Sequence, residues 1–176
     1  MSVAKKTGLQ DFAFEQLAKE TVEIQAENNE QVAIFSSQWA ANKYNLPIIK
    51  EDVGFYIEAL GGFPGPYLNQ VEKQIESEGY LKLLDGIQNR KAHWQYSIAF
   101  CEPKKRPIVF SAHLDGVVAN SVKGQSGWFT DKIFIPDKQT QTISELLDEK
   151  IYRRNNNHYV KLFNFLKKQK PADHKQ

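Results

Sequence analysis

Three carboxylates are placed where they could share chemistry. Glu51 and Asp52 are adjacent, follow the short apolar run Leu46 to Ile49 and precede Gly54, so they are expected at the end of a strand, where functional groups collect. Glu23 falls within Val22-Glu23-Ile24-Gln25, the end of another short strand candidate over 21–25. Carboxylates are hard oxygen ligands suited to Mg²⁺, which uses one or two of them and leaves its other positions to water or phosphate oxygens. By residue type alone the same acids read as solvated surface charges, since Asp and Glu are mostly exposed.

A second group is the glycine-containing loop Gly124-Gln-Ser-Gly-Trp-Phe-Thr-Asp131. An indole face such as that of Trp128 is a flat surface on which another ring can stack. The plainer reading is a core Trp beside a solvated Asp131. The four histidines, His93, His113, His158 and His174, lack the spacing of a zinc site. There is no serine-nucleophile elbow, Walker-type phosphate loop or Rossmann glycine fingerprint. The single cysteine, Cys101, ends an apolar run and reads as a buried structural residue.

These groups need elements to hold them. The apolar positions Phe12, Ala13, Leu17 and Ala18 predict a helix over 9–20. The next helix is capped by Asn28 or Asn29, carries Val32, Phe35 and Trp39 on one face, and ends at Asn45-Leu46-Pro47. Gly61-Gly-Phe-Pro-Gly-Pro-Tyr67 fixes a tight turn before a helix carrying Leu68, Val71 and Ile75 to Gly79, with a separate helical turn over 80–84. Two long strands, 91–101 and 107–118, form a hairpin around a charged loop. A strand near Ile133 to Pro136, a helix capped by Thr142 or Ser144, and a last helix with Tyr159, Leu162, Phe163 and Leu166 follow. This order predicts an α/β domain with a mixed sheet over residues 1–170 and a polar tail over 171–176.

The totals are consistent with one domain. The chain has 176 residues, is 41% hydrophobic and carries a formal net charge of +2, so it can bury a sizeable core and gives no signal for a nucleic-acid partner. The Met1–Lys6 start lacks an apolar core, and no apolar run reaches spanning length, which predicts a cytoplasmic protein with no membrane partner.

Glu51-Asp-Val-Gly-Phe55 and Ala59-Leu-Gly-Gly-Phe-Pro-Gly-Pro-Tyr67 together resemble the signature of the inosine triphosphate pyrophosphatase family, whose members hydrolyse non-canonical purine nucleoside triphosphates such as ITP, dITP and XTP. The resemblance runs from about Thr21 to Leu166 and implies a long mixed β-sheet flanked by helices in two lobes, a central cleft for the nucleotide, and a homodimer. It implies Mg²⁺ as cofactor with Glu23, Glu51 and Asp52 as metal ligands, Glu23 and Asp52 being catalytic. Trp128 would stack on the purine, Asp131 would recognise the base, and Lys150 matches a further family lysine that binds substrate.

The chain departs from the family at its cations: only Thr7-Gly8 remains of the N-terminal phosphate motif, Ser36 replaces a helix lysine, and Asn155-Asn156 replace a His-Arg pair. Phosphoryl transfer depends on positioned positive charge, and each lost donor costs roughly a hundredfold to a thousandfold in rate. Two expectations therefore stand: a divergent pyrophosphatase, and a catalytically impaired member that binds nucleotide or a protein partner. Lys5, Lys6, Lys50, Lys150, Arg153 and Arg154 are the cations available to compensate, though each by type is an ordinary solvated charge.

Overall fold

The computed structural model describes residues 14–154 and 156–169. Helix α1 (Asn29–Tyr44) begins where the Asn28 side chain accepts from the Gln31 N–H and stops where Asn45 turns left-handed (φ 53°) ahead of Pro47. Its buried face is Val32, Ala33, Ser36, Ser37, Ala40 and Ala41, a stripe of mostly small side chains that lets the helix lie close on the sheet. Phe35 and Trp39, expected in the core, lie on its flank: Phe35 is exposed, and the Trp39 ring meets Tyr44 edge-on at 6.1 Å.

Strand β1 (Ile48–Ile57) runs straight through Glu51 and Asp52. The acids are thus mid-strand and not at its end, because β1 stays paired with the chain at Ile98 and Ser97 through both of them. After a single 3₁₀ turn (Glu58–Leu60), Gly61, Gly62 and Gly65 take positive φ and the short β2 (Pro64–Gly65) folds back on Phe55 and Tyr56, with a cis Phe63–Pro64 peptide. A Cβ on Gly54 would lie 3.0 Å from the Gly65 carbonyl oxygen and 2.6 Å from the Tyr56 ring, so this close approach requires glycine.

Helix α2 (Leu68–Leu83) continues through the stretch expected to be a separate turn, bent at Glu76, whose φ is 53°. Strands β3 (Lys91–Cys101) and β4 (Ile108–Val118) form the expected hairpin, and β5 (Phe134–Pro136) closes the sheet. The strand order is β2-β1-β3-β4-β5, and every pairing among the described residues is antiparallel. Helix α3 (Ile143–Asp148) starts in a capping box between Thr142 and Glu145. Helix α4 (Asn157–Gln169) is the expected last helix.

Residues 14–28 form neither the predicted helix nor the strand over 21–25, so Glu23 sits on irregular chain; residues 9–13, the Thr7-Gly8 remnant, Asn155 and the 171–176 tail fall outside the described residues. Among the described residues no helix is long and apolar enough to cross a membrane.

Period-two alternation gives the sheet two different faces. Phe55, Ile57, Ala92, Trp94 and Tyr96 join residues of α2, β5 and α3 in the larger core, while Ile98 packs on Leu162, Phe163 and Leu166 of α4 in a second. The sheet thus carries helices on both faces, and on one of them it bridges two apolar clusters. Ser97, Ala99 and Cys101 point the other way and are also buried.

Candidate active site

Around Asp52 the sheet is held by Asn29, the first residue of α1, which is fully buried. Its amide nitrogen lies 2.9 Å from the Asp52 carbonyl, 3.1 Å from the Gln95 carbonyl and 3.1 Å from Ser97 Oγ, and its Oδ1 accepts from the Tyr56 hydroxyl at 2.8 Å. The chain of bonds continues through Ser97 Oγ and Ser111 Oγ (3.0 Å) to the Glu30 carboxylate (2.9 Å). Helix α1 is thereby fixed over three strands at the level of Asp52.

The Asp52 carboxylate is itself undersupplied: Oδ2 is buried without a hydrogen-bond partner. Burial first, then the negative charge of Glu23, push its pKa up to about 7 against the opposing pull of Lys50. Lys50 Nζ reaches Glu23 at 3.1 Å and Thr21 Oγ1 at 2.9 Å, which ties the irregular 20–24 segment to β1. Ser36, in place of the family lysine, donates to the Val22 carbonyl at 2.8 Å. An orphaned carboxylate oxygen next to a second, half-exposed carboxylate suits a hard divalent cation, and these two acids meet the small protein share of a Mg²⁺ shell. Beside them, residues 25–27, Tyr56 and the 61–67 turn line a recess of about 520 Å³. A larger recess of about 860 Å³, bounded by Arg90, Lys91 and Lys123, includes none of the predicted site residues.

Glu51 is elsewhere. The register pairs Asp52 with Ser97 and Glu51 with Ile98, so the two side chains leave β1 on opposite faces. Glu51 meets His158 Nε2 at 2.6 Å and the Tyr159 hydroxyl at 2.7 Å, both from α4. Grouping it with Glu23 and Asp52 as a ligand set is corrected by this register, and among the described residues no group of three or more His, Cys, Asp or Glu is placed to hold a metal ion.

On Glu51's side of the sheet lies the 124–131 loop. Gly127 has φ 85°, and a Cβ there would lie 2.4 Å from Asp131 Oδ2. The Asp148 carboxylate accepts from the Gln125 and Ser126 N–H groups; the Ser126 side chain first, and these N–H groups after it, lower its pKa. Helix α2 grips the other end, where Thr130 donates to Glu72 (3.3 Å) and Ser77 to the Phe129 carbonyl (2.7 Å); the bend at Glu76 lies between these two grips. Burial raises the Glu72 pKa.

Asp131 is fully buried and accepts from the Trp128 N–H at 2.7 Å and from both terminal nitrogens of Arg154. The Arg154 guanidinium also lies 4.2 Å from the centre of the Trp128 ring, and Trp94 lies 5.3 Å from that ring at a tilt. Trp128 keeps 41% of its surface exposed. Asp131 is therefore enclosed, and its role is to hold Arg154 in place; direct reading of a base by Asp131 does not fit this burial. Lys150, the other predicted substrate contact, ends α3 as a left-handed residue (φ 60°) with its N–H on the Leu147 carbonyl and its side chain exposed. Arg154 is the cation at the loop that residue type alone passed over. Its sequence signal is the pairing of a buried-loop acid with an arginine just ahead of a helix, which only the fold brings together.

The chain matches the model of the Ham1 family over residues 2–158. It is 41% identical over 124 residues to a protein of Methanopyrus kandleri named dITP/XTP pyrophosphatase, covering 70% of this chain and 66% of that one. A Korarchaeum cryptofilum protein of the same name is 40% identical over 129 residues, covering 73% and 69%. The chain thus spans about two thirds of the length of these curated relatives. Among solved structures the Staphylococcus aureus Ham1 protein superposes with a TM-score of 0.75 at 27% identity, covering 87% of this chain and 83% of that one.

Proposed function

We propose, from the premise that the chain belongs to the Ham1 family, that it hydrolyses non-canonical purine nucleoside triphosphates to the monophosphate and pyrophosphate. The observation that carries this reading beyond the names of relatives is the Asp52 carboxylate, buried and unpartnered at Oδ2 beside Glu23, an oxygen with room for a proton or a cation. Asp52 takes the proton of a water whose oxygen attacks the α-phosphorus; the bond from that phosphorus to the bridging oxygen breaks and pyrophosphate leaves. Bound Mg²⁺, held by Glu23 and Asp52, would supply neutralisation of the phosphate charge. Trp128 offers its exposed surface to the purine, and Arg154, fixed by Asp131, presents its remaining N–H donors to keto oxygens on the base. Trp128 and Asp52 are on opposite sides of β1, so a nucleotide that meets both crosses that strand's edge near 51–52. The setting is the cytoplasmic nucleotide pool, and the assembly a homodimer.

A second reading keeps binding and loses turnover. It is favoured by the Ser36 hydroxyl, which is spent on Val22 and offers no charge to a phosphate. Pyrophosphate release from ITP, XTP, dITP and the four standard triphosphates with Mg²⁺, for wild type and Asp52→Asn, separates the two. Release that favours keto-purines and falls at least a hundredfold in the variant supports the hydrolase; no release above the variant's level from folded protein leaves the binding reading.

A further inference from the structure

We propose that Glu51 is the hydrogen-bond acceptor for the nucleoside half of the substrate and not a metal ligand, an inference that rests on the hydrolase reading and extends it. Its place on the sheet is the first reason. Glu51, Val53 and Phe55 stand opposite Ile98, Tyr96 and Trp94, so Glu51 shares a face with the aromatic row that leads to the base loop. That row runs Trp128, Trp94, Tyr96, His158, with successive ring centres 5.3, 6.1 and 5.4 Å apart. Asp52 and its partner Glu23 belong to the other face, so a cation on those two acids has β1 between it and Glu51.

The second reason is how the carboxylate is held. His158, only 1% exposed, is stacked on Tyr96 and meets Oε1, while Tyr159 donates to Oε2. An ionised carboxylate accepts only, so His158 Nε2 carries the hydrogen. Two donors fix the group's orientation and leave further lone pairs, and 32% of the side chain is exposed. Pre-orientation of this kind is what a binding group needs, because less freedom is lost on association.

The third reason is the fate of the neighbouring acids. Of the carboxylates brought near the loop, Asp131 is enclosed by Arg154 and the Trp128 N–H, Glu72 is 7% exposed and bonded to Thr130, and Asp148, though exposed, has both oxygens taken by the Gln125 and Ser126 N–H groups. Glu51 is the partly exposed acceptor that shares the face of the aromatic row. A negative acceptor repels phosphate and suits O–H or N–H donors. A nucleoside offers two sources: the ribose hydroxyls, and the N1–H of a 6-keto purine, where adenine instead presents an acceptor.

Calorimetric binding of inosine to the full chain in EDTA tests this without metal or turnover. Glu51→Gln is expected to weaken inosine at least tenfold, and Tyr159→Phe, which frees one carboxylate oxygen while keeping the ring, severalfold. Asp52→Asn should bind inosine within twofold of wild type, and the Mg²⁺ half-saturation of pyrophosphate release should be unchanged in Glu51→Gln. In wild type, weaker deoxyinosine assigns the 2′-hydroxyl, weaker adenosine the N1–H, and neither the 3′-hydroxyl. Equal inosine affinity in wild type and a folded Glu51→Gln, no inosine binding by wild type, or a defect confined to Mg²⁺ half-saturation overturns the proposal. Absent pyrophosphate release with these binding results intact would instead sink only the hydrolase reading.

Discussion

Arg154 and Asp131 form a two-pronged ion pair, Nη1 to Oδ1 at 3.3 Å and Nη2 to Oδ2 at 2.5 Å, with the carboxylate fully buried and the guanidinium partly open to solvent. Arg154 lies just before α4 and Asp131 in the loop before β5, so this pair straps the chain across the sheet face between them. The same guanidinium covers part of Trp128. Tyr96 and Tyr152 lie close enough for Arg154 to draw down pKa values that burial raises.

Removing the arginine should therefore harm stability and base recognition together. Arg154→Ala leaves Asp131 charged, buried and held only by one N–H, a situation that costs about 3 kcal/mol or more. For a chain of this length that is a fall in Tm of roughly 6–12 °C by differential scanning calorimetry. Adding Asp131→Asn to Arg154→Ala should recover part of that fall, since it removes the stranded charge, while leaving the KM for ITP as poor as in the single variant. A Tm within 2 °C of wild type for Arg154→Ala would show the pair to be energetically idle.

Turn chemistry and caps were readable from sequence because they depend on local residues: the Gly61–Tyr67 turn, the Asn28 and Thr142 caps and the β3–β4 hairpin all form where their residues predict them. The position of the acids was not. Lys50-Glu51-Asp52 reads as the polar end of a strand, yet the strand continues: β3 pairs with it throughout, Asn29 takes the Asp52 backbone carbonyl on one face, and Tyr159 holds the Glu51 carboxylate on the other, side chains 23 and 108 residues away. Amphipathic spacing also misled at α1. Phe35 and Trp39 are bulky enough to suggest a core face, but the sheet accepts the small stripe Ala33, Ser36, Ser37 and Ala40 at closer range. Arg154 is legible in the sequence only as one of six cations available to compensate, and its pairing with Asp131 is not, because that partner is 23 residues earlier and on a different element.

The raised pKa of Asp52 makes stability depend on pH in a definite direction. Below about pH 3.8 the group is protonated in both states. As pH rises from there to about 7 the unfolded chain releases the proton and the native one holds it, so native stability falls, and above 7 the loss is complete. Asp52→Asn abolishes this loss. Its Tm should exceed that of wild type at pH 8 by several degrees, at roughly 2–4 °C per kcal/mol, and the gap should close toward pH 4. Mg²⁺ at pH 8 should raise the wild-type Tm and not the variant's. Thermal melts at the two pH values decide it: a gap that is the same at both means that burial does not hold the proton on Asp52.

The orientation of Asn29 gives a prediction of order among variants. Its Nδ2 faces two carbonyl oxygens, of Asp52 and Gln95, while its Oδ1 faces the Tyr56 hydroxyl. Asn29→Ala leaves these buried groups without that partner and should cost about 2–4 kcal/mol, at roughly 1–3 kcal/mol for each group left unsatisfied. Asn29→Asp keeps the acceptor toward Tyr56 but sets a carboxylate oxygen against two carbonyls with no donor between them, and it adds a negative charge in the same buried neighbourhood as Asp52. Stability should therefore fall in the order wild type, Asn29→Ala, Asn29→Asp, with the aspartate variant recovering in acid as its new carboxyl takes up a proton and becomes a donor. If urea unfolding at pH 7 finds the aspartate milder than the alanine, the amide is turned the other way, and the clamp on the Asp52 backbone is not made by Nδ2.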